Sequence, residues 1–72
     1  MSHVQFLLES CAASVNAVPD GYARNSHDWR LADNYLNEAY LAHQDGDDQT
    51  AKALLRKAAP ILRQIHAELR GQ

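Results

Sequence analysis

Gln44-Asp45-Gly46-Asp47 separates two long amphipathic runs in the second half of the chain. Asp-Gly is a frequent turn signal, because glycine adopts backbone conformations that other residues avoid, and the aspartate that follows can cap a helix. The runs on either side place apolar residues at the three- and four-residue spacing of an α-helix. The sequence therefore predicts a helical hairpin from about Ser26 to Leu69.

The two helices of this hairpin are predicted over about 26–44 and 47–69. Ser26 is a suitable N-cap for the first helix, whose apolar face contains Trp29, Ala32, Leu36, Ala39 and Tyr40. The second helix has a stripe of Ala51, Leu54, Leu55, Ala58, Leu62, Ile65 and Leu69. Pro60 lacks a backbone donor, so we expect a kink near Arg56–Pro60, with a helix divided at Pro60 as the alternative.

A further helix is predicted at the N-terminus, over about 2–18, with Ser2 as its N-cap. Its apolar stripe consists of Val4, Leu7, Leu8, Cys11, Val15 and Val18. Pro19-Asp20-Gly21 ends this helix and begins a connection that runs to about Asn25. The prediction is a single all-α domain of three helices, covering residues 1–72.

The N-terminal helix contains very little charge, with Glu9 as its only acidic or basic residue. Such a helix is usually covered on more than one side, and a chain of 72 residues has few other helices to cover it. We therefore expect a second copy of the chain, or another protein, to bind this helix. The residues predicted for this interface are Val4, Phe6, Leu7, Leu8, Cys11 and Val15, together with Tyr22 and Tyr35.

Charge is unevenly distributed along the chain, although the formal net charge is only −2. Residues 1–48 carry two basic and eight acidic side chains, whereas residues 49–72 carry five basic and one acidic. An acidic helix packed beside a basic one is one explanation, and an anionic partner is another. The candidate contacts for an anionic partner lie on the polar side of the last helix and are Lys52, Arg56, Arg63 and Arg70.

The order of helix, short turn and helix also occurs in DNA-binding helix-turn-helix proteins. DNA-binding domains are usually strongly basic, whereas this chain is acidic overall. Asp28, Asp33 and Glu38 of the preceding helix would also approach the same phosphate backbone. DNA binding through the basic face is therefore an alternative to protein binding, and a structural subunit of a larger assembly is a second alternative.

Metal sites are not expected. A hairpin that turns at Gly46 would bring His27 and Asp28 near His66, and two imidazoles with a carboxylate can bind zinc. However, no helix places two such ligands at the spacing that directs both to one metal. The acidic turn 45–48 lacks the twelve-residue ligand pattern of a calcium loop. The sequence thus predicts no metal and no cofactor.

Catalytic patterns are also missing from the sequence. Cys11 lies on an apolar stripe, where it behaves as a small hydrophobic residue, and no base accompanies Ser10 or Ser14. The N-terminus lacks the basic segment of a signal peptide, and no apolar run approaches the roughly 18 residues of a membrane helix. A single cysteine fits a reducing compartment. We expect a non-enzymatic cytoplasmic protein.

Residues 31–60 resemble a single degenerate tetratricopeptide-type repeat. Gly46-Asp47 looks like the turn between the two helices of the repeat, Ala51 and Ala58 occupy its small packing positions, and Ala39-Tyr40 resembles its small–aromatic pair. A generic αα-hairpin with an Asp-Gly-Asp turn is the alternative. The resemblance implies protein–protein binding. With the charge-poor first helix, it predicts a small interaction module, a homodimer that inhibits a partner protein by occlusion.

Overall fold

The computed structural model of the protein describes residues 3–71, and no strand occurs within them. The helices are α1 (His3–Asn16), α2 (Asp20–Asn25), α3 (His27–Gln44) and α4 (Asp48–Arg70). The predicted all-α class is confirmed. The predicted number of three helices is wrong, because residues 20–25 form a helix of their own. The proposed N-cap at Ser2 lies outside the described residues.

Helix α2 replaces the connection that was predicted after Pro19, and α1 ends at Asn16 rather than near residue 18. The φ angle of Pro19 is −59°, and its carbonyl oxygen accepts a hydrogen bond of 2.9 Å from the Ala23 N–H. Proline supplies a φ that suits the start of a helix. Ala23 is buried and fixes α2 to the rest of the chain. Gly21 therefore continues a helix instead of making a turn.

The joint between α3 and α4 consists of residues 45–47. Within residues 3–71, a positive φ occurs only at Gly46, where it is 81°. The Asp47 carboxylate accepts hydrogen bonds from the Thr50 hydroxyl at 2.6 Å and from the Thr50 N–H at 3.1 Å. Both bonds stabilise the ionised form and lower the pKa of Asp47, the hydroxyl bond contributing more. The turn residues thus fix where α4 begins.

Small side chains hold α3 and α4 together. Ala32, Ala39, Ala51 and Ala58 are completely buried in the main core, and the contact between α3 and α4 is the most extensive in the fold. Alanine on facing surfaces allows two helices to approach closely, because helix spacing depends on the side chains at the contact. Helix α1 lies against both helices of this pair.

Helix α4 continues through Pro60 without interruption, so the alternative of a helix divided at that residue is wrong. Pro60 is exposed, and its ring therefore occupies the solvent side of α4. Because proline has no backbone N–H, the carbonyl four residues earlier, that of Arg56, has no helical donor. On this exposed side of α4, water can donate to that carbonyl instead. The proline is thereby tolerated inside a helix whose opposite side forms the core.

Candidate functional site

Two side chains position the end of α1 on the rest of the molecule. The indole Nε1 of Trp29 donates a hydrogen bond of 3.1 Å to the Val15 carbonyl, and Nε2 of His66 donates one of 3.0 Å to the Ser14 carbonyl. Carbonyls in the last turn of a helix have no partner within that helix. Because Trp29 belongs to α3 and His66 to α4, both helices of the hairpin bind the end of α1.

Tyr22 makes a comparable link between α2 and the end of α4. Its hydroxyl donates a hydrogen bond of 2.6 Å to the Glu68 carboxylate. This bond lowers the pKa of Glu68, with a smaller contribution from Gln64, and the same bond is the main cause of the raised pKa of Tyr22. This bond attaches α2 to the end of α4.

An open groove runs between α1 and α4, and we call it the α1–α4 groove. Its larger part has a volume of about 430 Å³ and is lined by Leu7, Ser10, Cys11, Ser14, Leu55, Ala59, Leu62, Arg63, His66 and Arg70. An adjoining part of about 310 Å³ is lined by His3, Leu7, Lys52, Leu55, Arg56 and Ala59. The two parts share Leu7, Leu55 and Ala59 and so form one continuous surface.

The α1–α4 groove combines an apolar floor with a basic edge. Leu7 and Cys11 from α1 face Leu55, Ala59 and Leu62 from α4 across the floor. The edge contains all four residues that the sequence predicted as contacts for an anionic partner, and no acidic residue lines either part of the groove. The groove therefore suits a ligand whose apolar surface is flanked by negative charges.

The predicted interface residues of α1 divide into three groups. Val4, Leu8 and Val15 are buried in the core of the chain itself, with Leu8 completely inaccessible. Leu7 and Cys11 are half-buried and line the groove. Phe6 is 59% exposed and does not line the groove. While the protein is folded, the buried residues of the first group can contact only their own chain. The surface of α1 that another molecule could bind is therefore narrower than predicted.

The two tyrosines predicted for the interface have partners within the chain. Tyr22 binds Glu68 through its hydroxyl, and the Lys57 ammonium lies 5.9 Å from the centre of the Tyr35 ring. Both tyrosines are half-buried and neither lines the groove. The structure therefore does not bring them together with Leu7 and Cys11.

The three residues considered as zinc ligands, for which no metal site was expected, occupy different surroundings. His66 lines the α1–α4 groove, whereas His27 and Asp28 line a separate depression beside Tyr22. Within residues 3–71 no three histidine, cysteine or acidic side chains form a cluster suited to a metal ion. A histidine does contact a carboxylate at the hairpin turn, where Nδ1 of His43 lies 2.8 Å from Oδ1 of Asp48.

Cys11 lies in the floor of the groove as a free thiol. Burial is the main cause of its raised pKa, and the negative charge of Asp33 raises it further. The thiol form is therefore favoured, and a thiol is a weaker nucleophile than a thiolate. The position of Cys11 suits contact with a ligand more than covalent chemistry.

The sequence does not indicate that the basic edge and the apolar side of α1 belong to one site. It predicts Leu55 and Leu62 for the core, where both are buried, and it assigns no role to Ala59. It offers His66 only as a possible zinc ligand. One signal was present, since Lys52, Ala59 and His66 recur every seven residues beside the buried stripe of α4. It could not reveal which neighbouring helix lies along that side.

No known family model, curated protein or solved structure matches this chain. The resemblance of residues 31–60 to a tetratricopeptide-type repeat therefore stays a prediction. None of the helices within residues 3–71 has the length and apolar character needed to cross a membrane.

Proposed function

We propose that this protein is a non-enzymatic binding module that holds a segment of a partner protein in the α1–α4 groove and inhibits that partner by occluding the segment. The observation that carries the proposal is the open apolar floor beside four basic side chains. Proteins commonly bind helical segments of their partners in apolar grooves, and charges at the edge add specificity. The weakly nucleophilic thiol of Cys11 agrees with binding rather than catalysis.

Nucleic-acid binding is the second candidate, and the four basic side chains on one side of α4 are the observation that favours it. Phosphate contacts would use these charges without needing the apolar floor. Protein binding uses both features of the groove, and it is therefore the preferred proposal.

Two matched substitutions on α4 test whether the groove is the site that binds the partner. Ala59 lies at the centre of the groove, whereas Ala53 is exposed and lines neither part of it. Ala59→Gln should fill the floor with a longer side chain, and Ala53→Gln makes the same change away from it. Circular dichroism verifies that both variants fold.

Affinity capture from native cells, read by mass spectrometry, then compares the wild-type protein with both variants. We expect a partner that wild type and Ala53→Gln retain and that Ala59→Gln loses. A partner retained equally by all three proteins would show that the groove is not the binding site.

Self-association is a separate proposal, supported by the outer side of α1. Phe6 is 59% exposed there, and Ala13 is also exposed. A homodimer or a larger assembly would cover this surface. Sedimentation should show a dimer for wild type and a monomer for Phe6→Glu, whereas a wild-type monomer at micromolar concentration would contradict the proposal.

A further inference from the structure

Three arginines of α4 form a row along the edge of the α1–α4 groove, which we call the arginine row. Arg56, Arg63 and Arg70 follow one another at intervals of seven residues. Seven residues are close to two helical turns, so the three side chains leave α4 on the same side, about 10 Å apart. All three are exposed and all line the groove. The edge of the groove therefore presents positive charge at a regular spacing.

The floor of the groove repeats at the same interval. Leu55 and Leu62 are seven residues apart and form the buried base of the floor, with the half-buried Ala59 between them. Leu7 and Cys11 of α1, also half-buried, are four residues apart on the facing helix. Apolar positions that recur every seven residues, with charged residues beside them, are the pattern by which one α-helix binds another in a coiled coil. The α1–α4 groove thus has the surface pattern of a helix pair that is ready to accept a third helix.

The three arginines of the row form no ion pair with a carboxylate within the part of the chain that the structure describes. In residues 3–71, the one contact between a basic side chain and a carboxylate within 4 Å joins His43 to Asp48 at the hairpin turn. Glu9, the acidic residue of α1, instead accepts a hydrogen bond of 3.2 Å from Gln5 and does not line the groove. An acidic ligand would therefore gain attraction without having to break existing ion pairs.

We propose that the α1–α4 groove binds an amphipathic helix of a partner protein whose Asp or Glu residues recur every seven positions beside an apolar stripe. This inference depends on the proposed function, because it names the ligand of the same groove. The apolar stripe covers the half-buried side chains of the floor, Leu7, Cys11 and Ala59, and the acidic residues face the arginine row. The groove extends along α4 from Lys52 to Arg70, so a helix of about 18 residues, or about 27 Å, spans it.

A second copy of this chain does not have a helix of that kind in residues 3–71. Helix α3 is acidic, but its buried apolar residues Ala32, Leu36 and Ala39 belong to the core, and Leu41, 61% exposed, lies outside it. Helix α1 has an uncharged outer side but only one acidic residue, Glu9. The ligand is therefore expected to come from a different protein.

The test uses a synthetic helical peptide of three heptads, with Leu at the a and d positions and Glu at the e and g positions. An isomer of identical composition carries its Glu residues at b and f, on the side opposite the leucines. Fluorescence anisotropy at about 150 mM salt measures the affinity of each labelled peptide. We expect the first peptide to bind at least about tenfold more tightly than the isomer, because only its acidic residues flank the apolar stripe.

Charge reversal on the protein gives the matched control. Arg63→Glu should weaken binding of the first peptide about tenfold, and a peptide with Lys at the facing Glu positions should recover much of that loss. Lys57→Glu makes the same change in charge on α4, but Lys57 contacts Tyr35 and does not line the groove. The affinity of the Lys57→Glu variant for the first peptide should stay within about twofold of wild type.

The bound peptide should also slow alkylation of Cys11 several-fold.

The outcomes separate this inference from the proposed function. Equal affinity for the two peptide isomers would overturn the acidic-helix proposal. It would also be overturned if neither peptide bound while Ala59→Gln still abolished capture of a cellular partner. In either case the groove would remain a binding site. Peptide binding that neither Ala59→Gln nor Arg63→Glu changes would overturn both. Binding of labelled duplex DNA that Arg63→Glu abolishes and Ala59→Gln does not would identify a nucleic-acid ligand instead.

Discussion

The indole N–H of Trp29 donates a hydrogen bond to the carbonyl oxygen of Val15, 3.1 Å away and on a different helix. Val15 is buried, and its carbonyl lies in the last turn of α1, where no later residue of the helix can donate to it in the regular pattern. Trp29 lies in the first turns of α3. Together with the bond from His66 to the Ser14 carbonyl, this bond fixes where the end of α1 lies against α3 and α4, and so the position of one wall of the groove.

Replacing the indole tests this attachment. Trp29→Phe keeps an aromatic ring but removes the donor, and we expect a loss of about 2 kcal/mol in the free energy of unfolding from the hydrogen bond and the smaller apolar area. Urea denaturation followed by circular dichroism measures the change. Tyr35→Phe removes a hydroxyl but keeps the ring that Lys57 approaches, so it should change stability by less than about 0.5 kcal/mol. Equal losses in the two variants would contradict this role for Trp29.

The bond between Tyr22 and Glu68 should make stability depend on pH. The pKa of Glu68 is lowered in the folded state, chiefly by the Tyr22 hydroxyl. Its contribution is therefore present above the ordinary glutamate pKa of about 4.3 and disappears as the pH falls through the lower folded value. The pKa of Tyr22 is raised, so its contribution is present below about pH 10 and is lost as the pH rises through the higher folded value.

Tyr22→Phe removes this bond and should reduce both effects. We expect the variant to unfold at lower urea than wild type near neutral pH, with the difference narrowing at about pH 3, below the ordinary glutamate pKa. Paired urea titrations at the two pH values measure it. A difference that does not change with pH would mean that the tyrosine acts through packing alone.

Two glycines provide a matched test of the hairpin turn. Gly46 has a φ of 81°, and an added Cβ would meet no atom within 4 Å, so only backbone strain opposes alanine there. Gly46→Ala should cost about 1–2 kcal/mol. Gly21 also has open space around it but lies in α2 without a positive φ. Gly21→Ala should therefore stabilise the protein by up to about 1 kcal/mol, and thermal unfolding of both variants distinguishes the signs.

Two adjacent leucines of α1 should differ sharply in their importance. Leu8 is completely buried, so Leu8→Ala should leave a cavity and cost about 2–5 kcal/mol, a large share of the stability of a small domain. Leu7 is half-buried in the groove, and Leu7→Ala should cost about 1 kcal/mol while weakening the binding of an apolar ligand. Urea titration and peptide binding measure the two effects. Similar stability losses would indicate that α1 is rotated from this arrangement.

Cys11 should react slowly with alkylating reagents because burial and the charge of Asp33 raise its pKa. The rate with iodoacetamide should increase as the pH rises above the ordinary thiol pKa of about 8.5. Asp33→Asn removes the nearby negative charge and should make the reaction faster at pH 8. A small free thiol serves as the reference. A Cys11 rate as high as that reference at pH 8 would contradict the raised pKa.

The sequence was informative where one residue determines the backbone locally. Gly46 and Asp47 predicted the turn and the start of α4, and Ser26 predicted the start of α3, where its hydroxyl accepts from the Trp29 N–H at 3.0 Å. Pro19-Asp20-Gly21 was misleading because proline and aspartate favour both a turn and the first turn of a helix. Burial of Ala23, a tertiary contact, decides between the two.

The site was less predictable than the fold because it depends on how helices lie beside one another. Leu7 and Leu8 are both apolar, and helical spacing alone could not say which of them enters the core. The apolar flanks of α4 at Leu54 and Ile61, and at Leu55 and Ala59, were equally available to α1. Helix α1 packs beside Leu55 and Ala59, which creates the groove, and its hydrogen bonds with α3 and α4 hold it there. No periodic pattern in the sequence indicates these bonds.

The separation of charge between α3 and α4 also has a kinetic consequence. An approaching acidic helix would be repelled by the carboxylates of α3 and attracted by the arginine row, before any apolar contact forms. Electrostatic steering of this kind increases association rates and is weakened by added salt, whereas dissociation depends mainly on the contacts made at short range. The distribution of charge thus selects the face at which an encounter begins, and the apolar floor determines how long the complex lasts.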